Sequence, residues 1–157
     1  MRKLVTVALF VLASVPLLAG IDGKKAMYVG GTVAGLAEKM EGRFNLLGDT
    51  EMTFTPDKKG ASPASIAYAS IAELEYGQKA GRRVGVAVMV SPLALFSKKR
   101  NHYLTIAYKD SEGKDQAGVF ELGKDIVRAS LKVLEARTGK RVTFQDEEAR
   151  KSLGGGK

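Results

Sequence analysis

The stretch HYLTIAYKDSEGKDQAGVFELGKDIVRASLKVLEART, residues 102–138, decides the fold. It begins with a strand predicted over His102–Tyr108, and the turn Asp110–Gly113 leads into a second strand over Gln116–Leu122. After this strand the apolar spacing changes from alternation to the i, i+4, i+7, i+8 pattern of an amphipathic helix over Lys124–Thr138. We therefore expect a β-hairpin that runs directly into a helix.

The chain before this stretch contains further short apolar segments separated by turn-forming residues. The strands expected there are Lys25–Val33, Phe44–Leu47, Glu51–Thr55, Ser65–Tyr76 and Val84–Val90. Of these, Ser65–Tyr76 is either two strands or one strand that bends at Ala69 and Ser70, and the alternating valines of Val84–Val90 are typical of a buried strand. Together these elements predict a mainly β (α+β) fold, in which about seven antiparallel strands form a partly open barrel capped by the C-terminal helix.

This order of elements resembles the pleckstrin-homology-like (PH-like) fold, in particular its small bacterial and GRAM-like versions. The resemblance covers roughly residues 25–140, and three segments carry it: IAYASI (66–71), YLTI (103–106) and VFEL (119–122), the last running into the helix from Lys124. Because members of this family usually bind lipid head groups or protein segments, the resemblance implies a binding module and not an enzyme.

Phosphoinositide recognition is not expected from the resemblance. Lipid-binding members of the family carry a dense basic cluster between the first two strands, whereas here Lys39 and Arg43 are offset by Glu38 and Glu41. The tryptophan that is common in the family's C-terminal helix is also absent.

Residues 1–20 have the layout of a secretory signal peptide. Arg2 and Lys3 precede Leu4–Leu18, a run without charge, and the small residues Ala19 and Gly20 follow. We expect export, either to the periplasm or out of the cell, with cleavage after residue 19 or 20. The alternative is an uncleaved anchor, but the run is short for a membrane-spanning helix, which needs about 20 apolar residues. Residues 141–157 are expected to form a charged, disordered tail.

The composition excludes several kinds of chemistry. The chain has no cysteine and one histidine, so it has no thiol nucleophile and no thiolate metal site. We interpret His102 as a surface or strand-edge residue, and Glu73 and Glu75 as a solvated pair on one face of a strand. No spacing of His, Asp or Glu indicates a metal site, and no glycine-rich segment matches a phosphate-binding loop. We therefore expect no enzymatic activity and no cofactor.

The positive charge is concentrated in one segment of the chain. The formal net charge is +8, and between Tyr76 and Lys109 there are seven basic residues and no acidic one. Inside this segment, cations flank thirteen uncharged residues, Val84–Phe96, which end in the apolar tip Pro92–Phe96. Such a positive field attracts anions. The candidate binding residues are Lys79, Arg82, Arg83, Leu93, Leu95, Phe96, Lys98, Lys99 and Arg100.

Two functions fit this pattern. The first is an exported PH-like module that binds an anionic membrane surface or an acidic protein partner through residues 79–100. The alternative is a structural or scaffold protein that self-associates through the same apolar tip, which would make it an oligomer through residues 84–96. The valine run is expected in the core, whereas the tip is core, interface or membrane-inserting. Nucleic acid is not an expected partner, because the protein is expected to be exported.

Overall fold

The structure is a computed structural model, and it describes residues 21–79 and 101–154. These residues form one eight-stranded sheet that is curled into an open half-barrel. Helix α1 (Val127–Thr138) follows the seventh strand, and the short helix α2 (Glu147–Ser152) follows the eighth. The strands are β1 (Lys24–Gly31), β2 (Met40–Asn45), β3 (Glu51–Pro56), β4 (Ala64–Ala67), β5 (Ile71–Gly77), β6 (His102–Lys109), β7 (Asp115–Leu122) and β8 (Val142–Phe144). The predicted mainly β fold with a helix near the C-terminus is confirmed.

The strands lie in the order β4-β3-β2-β1-β7-β6-β5-β8. Strand β1 joins the two halves of the sheet, because it pairs antiparallel with β2 on one side and with β7 on the other. The pairing with β7 shifts register between Tyr28 and Gly30. At Gly31, φ is +132° and a Cβ atom would overlap the carbonyl oxygen of Ala117. Only glycine therefore allows β1 to approach β7 this closely.

Helix α1 covers the inner side of the half-barrel. Its buried residues Val127, Leu131 and Leu134 belong to one core with the inward-facing side chains of the sheet. In the centre of this core, the Phe120 ring lies 5.4–5.6 Å from three other rings, measured between centroids; these rings are those of Tyr28, Phe44 and Phe54. The helix ends at Gly139, whose left-handed conformation lets its N–H bond to the Glu135 carbonyl.

The prediction of a disordered tail is wrong for residues 141–154. Strand β8 pairs parallel with β5 at the edge of the sheet, with Val142 opposite Leu74. Helix α2 then begins at Glu147 and is capped by Asp146, whose side chain accepts a hydrogen bond from the Ala149 N–H. The segment is ordered because it buries apolar side chains, including Val142 and Ala149, against the same core. It also adds the eighth strand of the sheet that residues 21–79 and 101–154 form.

Several sequence predictions lie outside the described residues. They are the signal segment 1–20, the strand over 84–90 and the apolar tip 92–96. The segment Ser65–Tyr76 is two strands, because a 3-10 turn over Tyr68–Ser70 separates β4 from β5. Within residues 21–79 and 101–154, no helix is long and apolar enough to cross a membrane.

Candidate functional site

The chain segment that connects β5 to β6 is rich in basic residues, and we call it the basic connection. Its two ends, which we call its roots, lie at the same end of the sheet. Strands β5 and β7 stop at this end and β1 and β6 start there, because Gly77 lies opposite Tyr103, and Leu122 lies opposite both His102 and Ala26. We call this region the basic end and define it by four lysines with exposed side chains, which are Lys24, Lys25, Lys79 and Lys124.

Acidic residues only partly balance these lysines. Asp22, Glu121 and Asp125 lie in the same segments. The connection between the two strands then adds five more basic residues and no acidic one; these are Arg82, Arg83, Lys98, Lys99 and Arg100. The basic end and its connection therefore carry a clear excess of positive charge.

Of the predicted binding residues, Lys79 is the one that the structure describes. Its side chain is exposed, and its backbone carbonyl accepts a hydrogen bond of 2.8 Å from the side-chain amide of Gln145. The C-terminal segment thus fixes the first root of the connection. The remaining predicted residues lie outside the described ranges: Arg82, Arg83, Leu93, Leu95, Phe96, Lys98, Lys99 and Arg100.

Gln145 links this root to a buried carboxyl group on the outer side of the sheet. Its side-chain amide also donates to Oε1 of Glu75 at 3.1 Å, and its backbone N–H donates to the Tyr76 carbonyl at 3.0 Å. Glu75 is 1% exposed and lies on β5, between the strands β6 and β8. The interpretation of Glu75 as solvated is therefore wrong, whereas Glu73 is exposed as expected. We call Glu75, Gln145 and the Lys79 carbonyl the outer network.

A second network fixes the start of β6 on the inner side of the sheet. The Tyr76 hydroxyl lies 2.6 Å from Nδ1 of His102 and 2.9 Å from Oγ of Ser152. Ser152 Oγ in turn donates to the Ala149 carbonyl at 2.7 Å. The rings of Tyr76 and His102 are stacked, with an interplanar angle of 22°. We call Tyr76, His102 and Ser152 the inner network.

Burial and nearby charges shift the pKa values of His102 and Tyr76 in the inner network. Burial, helped by the positive charge of Lys124, lowers the pKa of His102 below its ordinary value, while Glu121 opposes the shift. Burial also raises the pKa of Tyr76. His102 is partly exposed at the first residue of β6, but β6 is an interior strand and not an edge strand of the sheet. Its Nδ1 is hydrogen-bonded to the Tyr76 hydroxyl of β5, and this hydroxyl is in turn hydrogen-bonded to Ser152 of α2.

The described residues also form pockets on the surface. One pocket of about 280 Å³ lies beside the basic end, and its charged lining includes Lys25, Glu41 and Glu121. Another of about 540 Å³ lies between β4 and the turn that joins β6 to β7. Within the part of the chain that the structure describes, no group of three or more His, Asp or Glu could hold a metal ion.

The roles of Gln145 and Ser152 were not predicted, because residues 141–157 were expected to form a disordered tail. Two local signals could have indicated order there. Val142, Thr143 and Phe144 are all residue types that favour strands, and Asp146 precedes two glutamates as a helix cap does.

Comparison with known proteins adds no family or relative. No protein-family model matches the chain, and no curated protein matches its sequence.

Proposed function

We propose that this protein is an exported PH-like binding module that attaches to an anionic membrane surface through its basic end. One observation carries the proposal. The strand pairing brings both roots of the basic connection to the same end of the sheet, where Lys24, Lys25 and Lys124 are also exposed. Cations that are far apart in the sequence can therefore act on one surface together.

The rest of the molecule does not oppose this field. All 17 acidic residues and 17 of the 25 basic residues lie within the described ranges, which are therefore neutral overall. Apart from Lys157, the excess charge of the mature chain lies in the connection, and a localised field of this kind steers a protein towards an anionic surface.

The strand register also limits how far the two basic clusters can be from each other. Gly77 and Tyr103 are paired across β5 and β6. Arg83 lies six residues after Gly77, and Lys98 lies five residues before Tyr103. A fully extended chain spans at most about 3.6 Å per residue, which places every cation of the connection within about 22 Å of this pair. Each cation near an anionic leaflet contributes about 1 kcal/mol, so the cluster supports reversible attachment.

Co-sedimentation with lipid vesicles tests the proposal. The probes are vesicles of phosphatidylcholine mixed with phosphatidylglycerol, and pure phosphatidylcholine vesicles serve as the comparison. We expect binding to the anionic vesicles alone, and weaker binding at high salt because exposed charges are screened. The triple variant Lys98→Ala/Lys99→Ala/Arg100→Ala should bind about a hundredfold more weakly, since it loses about 1 kcal/mol per cation.

A matched triple variant removes the same charge elsewhere. Lys109, Lys114 and Lys132 are exposed, and the first two lie at the opposite end of β6 and β7. Their replacement by alanine should leave vesicle binding nearly unchanged. An equal loss in both triple variants, or no binding by the wild type, would contradict membrane attachment. Concentration-dependent size without lipid would support self-association in its place.

A further inference from the structure

The outer side of the half-barrel has a buried apolar face of its own. Val29, Tyr103 and Val119 form a second cluster, separate from the main core, and Met27 packs beside them. They are 1%, 4% and 0% exposed. The described helices do not account for this burial, because the core residues of α1 and Ala149 of α2 belong to the inner cluster.

The register shows that this face is continuous across neighbouring strands. Thr105 on β6 lies opposite Val119 on β7 and Glu75 on β5, and Ala107 lies opposite Ala117. All of these residues are buried. We call the surface formed by Val29, Tyr103, Thr105, Ala107, Ala117 and Val119 the outer face.

The same side of the other half of the sheet is different. Arg43 on β2, Thr55 on β3 and Ser65 on β4 are exposed there. The outer side of the sheet is therefore exposed over β2, β3 and β4 but buried over β1, β7, β6 and β5. Another part of the protein must cover the buried half.

We propose that the outer face is covered by the valine-rich stretch Val84–Val90 of the same chain. This stretch is uncharged and apolar, as an occupant of a face of valine, alanine, threonine and tyrosine must be. The connection that contains it is attached to the sheet at both ends, through β5 and β6, and both of these strands contribute to the buried side. This inference goes beyond membrane attachment, which uses the cations on either side of the stretch.

The chain is long enough to reach across the face. Five residues lead from Lys79 to Val84 and eleven from Val90 to Asn101, so the two links extend to about 18 Å and about 40 Å. From β5 to β1 there are three strand spacings, which is about 14 Å. The apolar run at residues 4–18 has similar chemistry but is attached to the sheet by one end only, through β1.

Photo-crosslinking on the full chain tests the occupant. The aromatic photo-crosslinker p-benzoylphenylalanine replaces Tyr103 on the outer face, and a control chain carries it at the exposed Thr55. Trypsin cuts after Arg83 and Lys98 and so releases residues 84–98 as one peptide. We expect a crosslink from position 103 to this peptide within one chain, and none from position 55. A crosslink to residues 4–18, a crosslink between two chains in an isotope-labelled mixture, or no crosslink would each overturn the proposal.

Thiol labelling gives a second measurement, because the chain has no cysteine of its own. Val119→Cys should react at least tenfold more slowly than Thr55→Cys, at all protein concentrations. Replacing residues 84–90 by a Gly-Ser segment of equal length should abolish this protection, while Phe54→Cys in the inner core stays protected. Protection of the thiol in Val119→Cys that survives the replacement would overturn the proposal. The crosslink, which needs no replacement, decides the question if the replaced chain does not fold.

Discussion

Replacing Gly77 by alanine tests the outer network at the root of the basic connection. A Cβ atom at this position would overlap the side-chain amide of Gln145 and lie 2.6 Å from its Cγ atom. The Gln145 side chain would have to move away. Two hydrogen bonds would be lost with it, one to Oε1 of Glu75 and one to the Lys79 carbonyl.

The expected loss follows from these two bonds. The Glu75 acceptor is buried, whereas the Lys79 carbonyl is part-buried and loses less, so Gly77→Ala should lower the free energy of unfolding by about 1 to 3 kcal/mol. In a Gln145→Ala background the space is already empty. There the same substitution should cost nothing or stabilise by about 0.5 kcal/mol, because alanine restricts the unfolded chain more than glycine does.

Urea unfolding of the four proteins in this double-mutant cycle measures the interaction between residues 77 and 145. The Gln145→Ala chain is the matched control, since it removes the same hydrogen bonds without adding a methyl group. If Gly77→Ala costs the same in both backgrounds, the contact with Gln145 is not the reason for glycine at this position.

Three further substitutions test the inner network and the packing of α1. Tyr76→Phe should lower the free energy of unfolding by about 1 to 2 kcal/mol, whereas Tyr108→Phe should change it by less than about 0.5 kcal/mol; equal losses in urea unfolding would contradict a specific role of the Tyr76 hydroxyl. Because the pKa of His102 is lowered from 6.5, the unfolded chain binds its proton more tightly. Stability should therefore fall as pH falls through 6.5 towards the lower pKa of the folded state, and an unchanged pH slope in His102→Gln would refute this. Arg137 is 13% exposed and lies over the Tyr68 ring, whereas its partner Asp49 is 93% exposed. Arg137→Ala should cost about 1 to 2 kcal/mol and Asp49→Asn less than about 0.5 kcal/mol, and equal costs would assign the effect to the ion pair.

The hairpin of β6 and β7 and helix α1 could be predicted because their signals are local. In each of these elements the spacing of apolar residues repeats at least twice, and turn-forming residues lie at its ends. Strand β2 was harder, since it begins at Met40 and the sequence favours a start at Phe44. Gly42 is the reason, because a glycine in a sequence usually indicates the end of a strand or helix. In the fold Gly42 lies inside β2, and a Cβ atom at this position would be only 2.6 Å from Cζ of Phe54.

The C-terminal segment was hard to predict because its local signals are short and its order depends on a distant partner. Strand β8 has three residues, too few for a periodic pattern, and it pairs with β5 almost 70 residues earlier in the chain. Glu75 was misread for the same reason. A glutamate on a strand is normally solvated, whereas here the buried Glu75 accepts a hydrogen bond from the Gln145 amide, which follows β8.

The outer face and the basic end together make a further prediction about how the protein attaches to a membrane. If the valine stretch covers the outer face, it does not enter a lipid bilayer, and we expect attachment to rely on the cations and not on insertion of the tip Pro92–Phe96. Attraction between exposed charges is screened by salt, whereas burial of a leucine or phenylalanine contributes about 1.5 to 3 kcal/mol at any salt concentration. We expect vesicle binding to disappear at high salt, and Leu95→Ala/Phe96→Ala to bind as the wild type does at low salt. Salt-resistant binding that this double variant abolishes would contradict the electrostatic mode and would show that the tip inserts.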